Sequence, residues 1–388
     1  MAANKLATKL NNLNAVPYVD VMMPEGSIKQ IKGKEEMEHV IGDDIIARSK
    51  RADSAPICQG ALRDLLGYAI NTQIVLDILH DKFEPPPDTD EATCMLLKEI
   101  ARIWEEMEAG NVDIVVTKDD FQYYWKRAKE RMSSSFSGHH FGHYKAVAYS
   151  DALSEVHALH TSLILQTVLA PERWARGLLV MLEMIAGVVL VTKLRAILLM
   201  EADFNFHNKL IFGTQMLELA RKHGLVQEEI YSKKGHTAED AILHQVLAYN
   251  IARQKRAPLI VVSVDTAQCY DRITHAFAAL TLRANKAPES SVHCMLQPIR
   301  DMEFYIRTAH GESDTYTGGG KRLNKGITRE TVLHWLCCSR SAQLCCAPTA
   351  GRTTASQYAA QFWGRNTPRP ACCMWTRHEP LGRLGSRR

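Results

Sequence analysis

The chain has 388 residues, 46% apolar and 23% charged, enough to bury a sizeable core and to exclude disorder as its overall state. Its net charge of +4 is carried by one end: residues 329–388 hold nine Arg, two Glu and no Lys or Asp, net +7, which leaves residues 1–328 with 38 basic against 41 acidic, net −3. Overall charge alone therefore supports nucleic-acid binding only through the tail. The most apolar window, 178–191, is too short to span a bilayer and contains Glu183, so it predicts a buried helix and no membrane partner. The start lacks an apolar run before a cleavage site, so secretion is not expected and a nuclear or cytoplasmic location is. Six of the ten cysteines stand in adjacent pairs, Cys337-Cys338, Cys345-Cys346 and Cys372-Cys373, which do not bridge internally without strain.

Residues 1–110 read as an irregular start followed by mainly helical material and a linker. Leu62, Leu65, Leu66 and Ile70 recur at helical spacing, and Pro85, Pro86 and Pro87 mark the linker. The spacing of Leu96, Leu97, Ile100 and Trp104 predicts a helix over 91–106. Val112 to Val116 is a short strand candidate, and a helix over 118–129 starts near Thr117 with acids in its first turn. Residues 133–138, Ser-Ser-Ser-Phe-Ser-Gly, form a loop by composition. Helical periodicity runs over 152–169, resumes over 172–185 after Pro171, and returns over 206–223 before Gly224. Between these last two lies the apolar stretch 194–200, with Arg195 near its start. Thr237 with Asp240 three residues on is a capping-box pattern, and Ile242, Leu243, Val246, Leu247 and Ile251 are expected on the buried face of the helix that follows. A strand over 259–264 comes next, and Asp271 is expected to cap a helix over 272–284 with Ile273, Phe277, Leu280 and Leu282 in the core. Helix, strand and helix within this span predict an α+β unit.

The strand 259–264 delivers Asp265 to its end. A carboxylate there is positioned by the sheet while remaining open to solvent and ions, and magnesium binds through a few carboxylates and substrate phosphates. On spacing alone Asp265 equally ends a strand and turns the chain, Tyr270 is a half-buried aromatic, and Asp271 is a helix cap. Arg195 and Lys193 are surface charges flanking an apolar segment. His139, His140 and His143 offer imidazoles, but Gly138 and Gly142 argue against a stable helix that would align them for zinc.

The run 265–271, Asp-Thr-Ala-Gln-Cys-Tyr-Asp, resembles the first catalytic motif of reverse transcriptases of the non-long-terminal-repeat retrotransposon kind. Upstream, 235–242 (Gly-His-Thr-Ala-Glu-Asp-Ala-Ile) is similar to the glycine-led segment before that strand, and 193–199 followed by 205–209 resembles the fingers motifs. Residues 133–145, Ser-Ser-Ser-Phe-Ser-Gly-His-His-Phe-Gly-His-Tyr-Lys, resemble an opening signature of algal and diatom retroelement polymerases. The resemblance implies a partial right-hand polymerase fold, fingers and incomplete palm, over 111–328. It implies RNA template, DNA primer and deoxynucleoside triphosphates as partners, with Mg2+ as cofactor. It makes Asp265 the catalytic, metal-binding carboxylate and Tyr270 the aromatic beside the incoming sugar. Arg195, Lys193 and Lys209 would approach the triphosphate.

The family pattern then breaks. The later hairpin with adjacent aspartates is missing: Asp43-Asp44 and Asp119-Asp120 lie upstream, and Asp301 and Asp314 are isolated. After 325–328 (Lys-Gly-Ile-Thr) the family continuation resembles Gln-Gly-Asn-Gly-Ala-Ser, whereas this chain reads Arg-Glu-Thr-Val-Leu-His-Trp over 329–335. One permitted coding of 328–335, given one added base after the Thr328 codon, restores Thr-Gln-Gly-Asn-Gly-Ala-Ser-Leu. The expectation is a frame change near Thr328 that leaves 329–388 a basic, Cys-rich, poorly ordered tail. A chain so truncated is expected to be inactive; a noncatalytic nucleic-acid-binding retroelement remnant is the alternative.

Overall fold

Hairpins and capped helices account for most of the local structure. The computed structural model describes residues 15–49, 55–66, 72–107, 112, 114–130, 135–224, 235, 237–256 and 273–315. It is a mixed α+β structure. An N-terminal hairpin, β1 (Val19–Met22) and β2 (Ile28–Ile31), precedes α1 (Lys34–Ser49), α2 (Gly60–Leu65) and α3 (Gln73–Leu79). The sequence pattern does not announce this hairpin, because its strands are only four residues long and β2 buries one residue of its four.

The next helices obey their caps. Asp90 accepts from Thr93 N at 2.9 Å and starts α4 (Glu91–Glu106), as its apolar spacing predicts. Thr117 and Asp120 form the capping box of α5 (Lys118–Lys126). The strand expected at 112–116 does not form among the described residues. Val116 N instead donates to Ser162 Oγ at 2.8 Å, so a helix side chain supplies the partner a neighbouring strand would have supplied. The helices α6 (Phe141–Val147) and α7 (Asp151–Thr167) follow.

Over 172–185 the structure corrects the expected helix. A single 3-10 turn, Glu172–Ala175, leads into a strand, β3 (Arg176–Glu183), which pairs antiparallel with β4 (Leu194–Leu199) and parallel with β5 (Glu303–Thr308); β6 (Gly311–Glu312) completes the order β4-β3-β5-β6. The apolar run is long enough for either structure, and pairing on both edges decides for the strand. Gly177 permits the close packing: a Cβ there would lie 2.6 Å from Leu198 Cδ1 and 2.6 Å from Met302 Sδ. Leu179, Met181, Leu198, Phe304 and Ile306 join the core, while Leu182 and its cross-strand partner Arg195 are exposed.

After β4 the helical periodicity is realised as α8 (Ala202–Leu210), a π turn (Ile211–Gln215) and α9 (Met216–Lys222), closed near Gly224 at φ +66°. In α10 (Ala238–Lys255) the Thr237–Asp240 capping box forms as expected, but the face expected to be buried is not: Ile242, Leu243, Val246, Leu247 and Ile251 are 45–59% exposed, with chain outside the described residues on either side. The helix α11 (His275–Ala284) is buried along its whole length, including Phe277, Leu280 and Leu282, and packs on α4 and α12 (Glu289–Arg300). Its cap is Thr274, whose hydroxyl accepts from Phe277 N at 3.3 Å, and not Asp271, which is placed too early for a helix beginning at His275. The strand expected over 259–264, the break near Thr328 and the tail 329–388 lie outside the described residues.

Candidate functional site

The β3–β4 hairpin carries the two cations expected near a triphosphate. Lys193 closes the 3-10 turn Val191–Lys193 and Arg195 is the second residue of β4; both are exposed, and neither forms an ion pair among the described residues. What fixes the backbone between them is a residue that no sequence motif singles out. Arg48, from the end of α1, donates to the carbonyls of Leu194 at 2.9 Å and Val191 at 3.1 Å while paired with Asp44 at 2.6 Å. A guanidinium can hold two carbonyls and a carboxylate at once through its fork of donors. The N-terminal hairpin adds a backbone bond, Asp20 N to Val189 O at 3.0 Å. The root of β4 is thus held by segments more than a hundred residues earlier in the chain.

A second anchor lies at the other end of β4. Glu201 is fully buried and accepts from Ser135 Oγ at 2.7 Å, Ser137 Oγ at 2.7 Å and Ser137 N at 3.3 Å. Arg173 Nε lies 3.8 Å from the same carboxylate, and its guanidinium also bonds Asp203. This assembly ties the serine-rich loop to the turn before α8, so the loop expected from composition has one fixed shape where described. Tyr144 belongs to the same neighbourhood. Burial first, then the Asp203 carboxylate, push its phenol up to about 12, so it is neutral and able to donate. Periodicity could not reveal this cluster, because the loop and Glu201 are 64 to 66 residues apart.

The imidazoles of the same loop have structural work. His140 Nδ1 accepts from Gly142 N at 3.1 Å and His143 Nδ1 accepts from His140 N at 3.1 Å, a reciprocal cap for α6. The helix therefore begins at Phe141 and tolerates Gly142 in its first turn, contrary to the expectation from the glycines. Lys209, on α8, sits with its ammonium 5.3 Å from the Tyr124 ring centroid, which places it against α5.

Asp265 and Tyr270 lie outside the described residues. Among the described residues no group of three or more His, Cys, Asp or Glu side chains could hold a metal ion. The upstream aspartate pairs already have partners: Asp44 holds Arg48 and Asp120 completes the Thr117 cap. No described helix is long and apolar enough to cross a membrane. No protein-family model matches the chain, and no curated protein matches it.

Proposed function

We propose that the chain is an RNA-directed DNA polymerase domain by descent, of the retrotransposon reverse-transcriptase kind, that retains part of a nucleotide and template platform with little or no turnover. The observation that supports this reading is the Lys193–Arg195 pair. Two cations without acidic partners among the described residues sit at the clamped loop end of the β3–β4 hairpin, where fixed positive charge suits a triphosphate. Fingers and partial palm would span 111–328, with Asp265 as metal-binding carboxylate and Tyr270 beside the sugar.

Two magnesium ions about 4 Å apart would assist attack of a primer hydroxyl and departure of pyrophosphate in an intact relative. A single aspartate does not hold both, and the sequence offers no adjacent aspartate pair downstream of Asp271. This chain by itself would therefore lack a complete two-ion site. The missing pair favours the second reading, a noncatalytic binder of RNA or DNA.

Primer extension on an RNA template, with deoxynucleoside triphosphates and magnesium, tests the first reading. The expected result is binding of primer-template without extension. Template-directed synthesis that disappears in Asp265→Ala would overturn the inactive assignment and establish the enzyme. Sequencing of the locus tests the frame change: restoring Gly-Asn-Gly-Ala by one added base is expected.

A further inference from the structure

One exposed strip lies apart from the hairpin cations. Tyr123, Lys126 and Arg127 are spaced to share one face of α5, and Tyr149 is brought beside them by the turn between α6 and α7. The two tyrosines are 59% and 70% exposed, and neither hydroxyl makes a hydrogen bond among the described residues. Arg127 lies over the Tyr123 ring at 3.7 Å from its centroid, and Lys126 Nζ is 5.7 Å from the Tyr149 centroid. Aromatic and cation therefore alternate across the surface, and Lys129 adds an exposed charge beyond the helix end.

The local charge is not cancelled. Lys126, Arg127 and Lys129 form no ion pair among the described residues. Nearby acids have closer partners: Glu130 pairs with Lys145 at 3.1 Å, and Asp151 with Lys118 at 3.4 Å and Gln122 at 2.9 Å, although the Asp151 carboxylate also feels the charge of Lys126, its weakest neighbour. Asp119 and Asp120 occupy the opposite end of α5, in its first turn. The platform beneath is rigid, because Phe121 and Trp125 are buried and the Trp125 ring stacks on Tyr144 at 4.6 Å.

We propose that this strip binds a single-stranded polynucleotide, with bases stacking on Tyr123 and Tyr149 and phosphates drawn to Lys126, Arg127 and Lys129. Exposed rings interleaved with cations match the two needs of an unpaired strand, open base faces and a charged backbone. A duplex hides its base faces and satisfies only the second need. The proposal rests on the nucleic-acid reading of the chain and adds a surface that the fingers residues do not include.

The test is fluorescence anisotropy of the full chain with labelled oligouridylate and oligothymidylate of about twenty nucleotides, and with a duplex of equal length. The Tyr123→Leu/Tyr149→Leu double variant is expected to weaken single-strand binding about fivefold or more, while Tyr123→Phe/Tyr149→Phe keeps it, since phenylalanine retains the stacking face. Lys126→Gln/Arg127→Gln is expected to reduce the slope of log affinity against log salt by about 1.4, roughly 0.7 for each phosphate no longer neutralised. If the parent binds and the leucine variant binds equally well, this surface is refuted while the nucleic-acid reading stands. If the parent binds no oligonucleotide, both fall. Weakened binding in the phenylalanine variant as well, or displacement by polyaspartate as readily as by unlabelled oligonucleotide, would overturn base stacking and favour an acidic polypeptide as the occupant.

Discussion

Two buried ionisable groups make opposite demands. Glu201 is satisfied by three donors and has Arg173 beside it, so its charge is tolerated only while that set is intact. Glu201→Ala leaves two hydroxyls and the Ser137 N–H without their acceptor, while Arg173 keeps Asp203, and should destabilise the protein by about 3 kcal/mol, read as a lower urea midpoint. A midpoint shift within error would show that the loop's shape does not depend on this carboxylate. His207 is instead fully buried on α8, with neither ring nitrogen bonded among the described residues and with Trp174 at 5.4 Å between centroids. Burial lowers its pKa from 6.5 to about 3, so the folded protein holds it neutral while the unfolded chain takes up a proton as the pH drops below about 6.5. The unfolded state then binds more protons, and stability is lost between about pH 6.5 and about 3, at up to roughly 1.4 kcal/mol per pH unit. The parent should therefore lose stability in that window relative to His207→Leu, measured by denaturant unfolding at stepped pH. Parallel pH curves for the two proteins would refute a buried neutral imidazole.

Arg48 connects elements rather than neighbours. Its bonds to the carbonyls of Val191 and Leu194 join the end of α1 to the root of β4, where Lys193 and Arg195 project. Arg48→Ala should leave the remaining core folded but loosen this junction, seen as faster amide hydrogen exchange over 189–199 with little change in α11. The milder Arg48→Lys should not restore protection, because one ammonium does not reproduce the fork that spans two carbonyls and Asp44. Unchanged exchange in the alanine variant would show that Arg48 does not hold the start of β4. Distance along the chain also decides which elements are legible in the sequence. Capping chemistry is local, so α5 and the start of α10 follow from Thr117 and Thr237 with their partners three residues on, while α4 follows from the spacing of Leu96, Leu97, Ile100 and Trp104. The strand β3 reads as a helix in sequence because an apolar run buried between β4 and β5 carries no clean period of two. Asp271 has the look of a cap because it follows a strand candidate, yet Thr274 lies where the helix needs its acceptor. Lys193 and Arg195 are exposed, as charges flanking an apolar segment are, whereas Arg48 and Glu201 are invisible in the sequence because their partners are distant in the chain.

For the whole molecule, charge is the property that separates the competing readings. Residues 1–328 carry net −3 and residues 329–388 net +7, so any general attraction for nucleic acid is concentrated in the tail, whatever the role of the strip on α5. Neutralising phosphates releases counterions, giving a slope in log affinity against log salt of roughly −0.7 for each contact with a single strand. If all nine tail arginines engage a strand at once, they contribute at most roughly −6 to that slope. Stacking on Tyr123 and Tyr149 should contribute almost nothing to it, since ring contacts displace no counterion. A chain ending at residue 328 should therefore bind oligouridylate more weakly, with a much shallower salt slope, yet remain sensitive to Tyr123→Leu/Tyr149→Leu. Anisotropy titrations across a salt series measure both quantities on the same protein. An unchanged slope after removal of 329–388 would mean that the basic tail does not touch nucleic acid, and would shift the binding energy to the α5 strip and to Lys193 and Arg195.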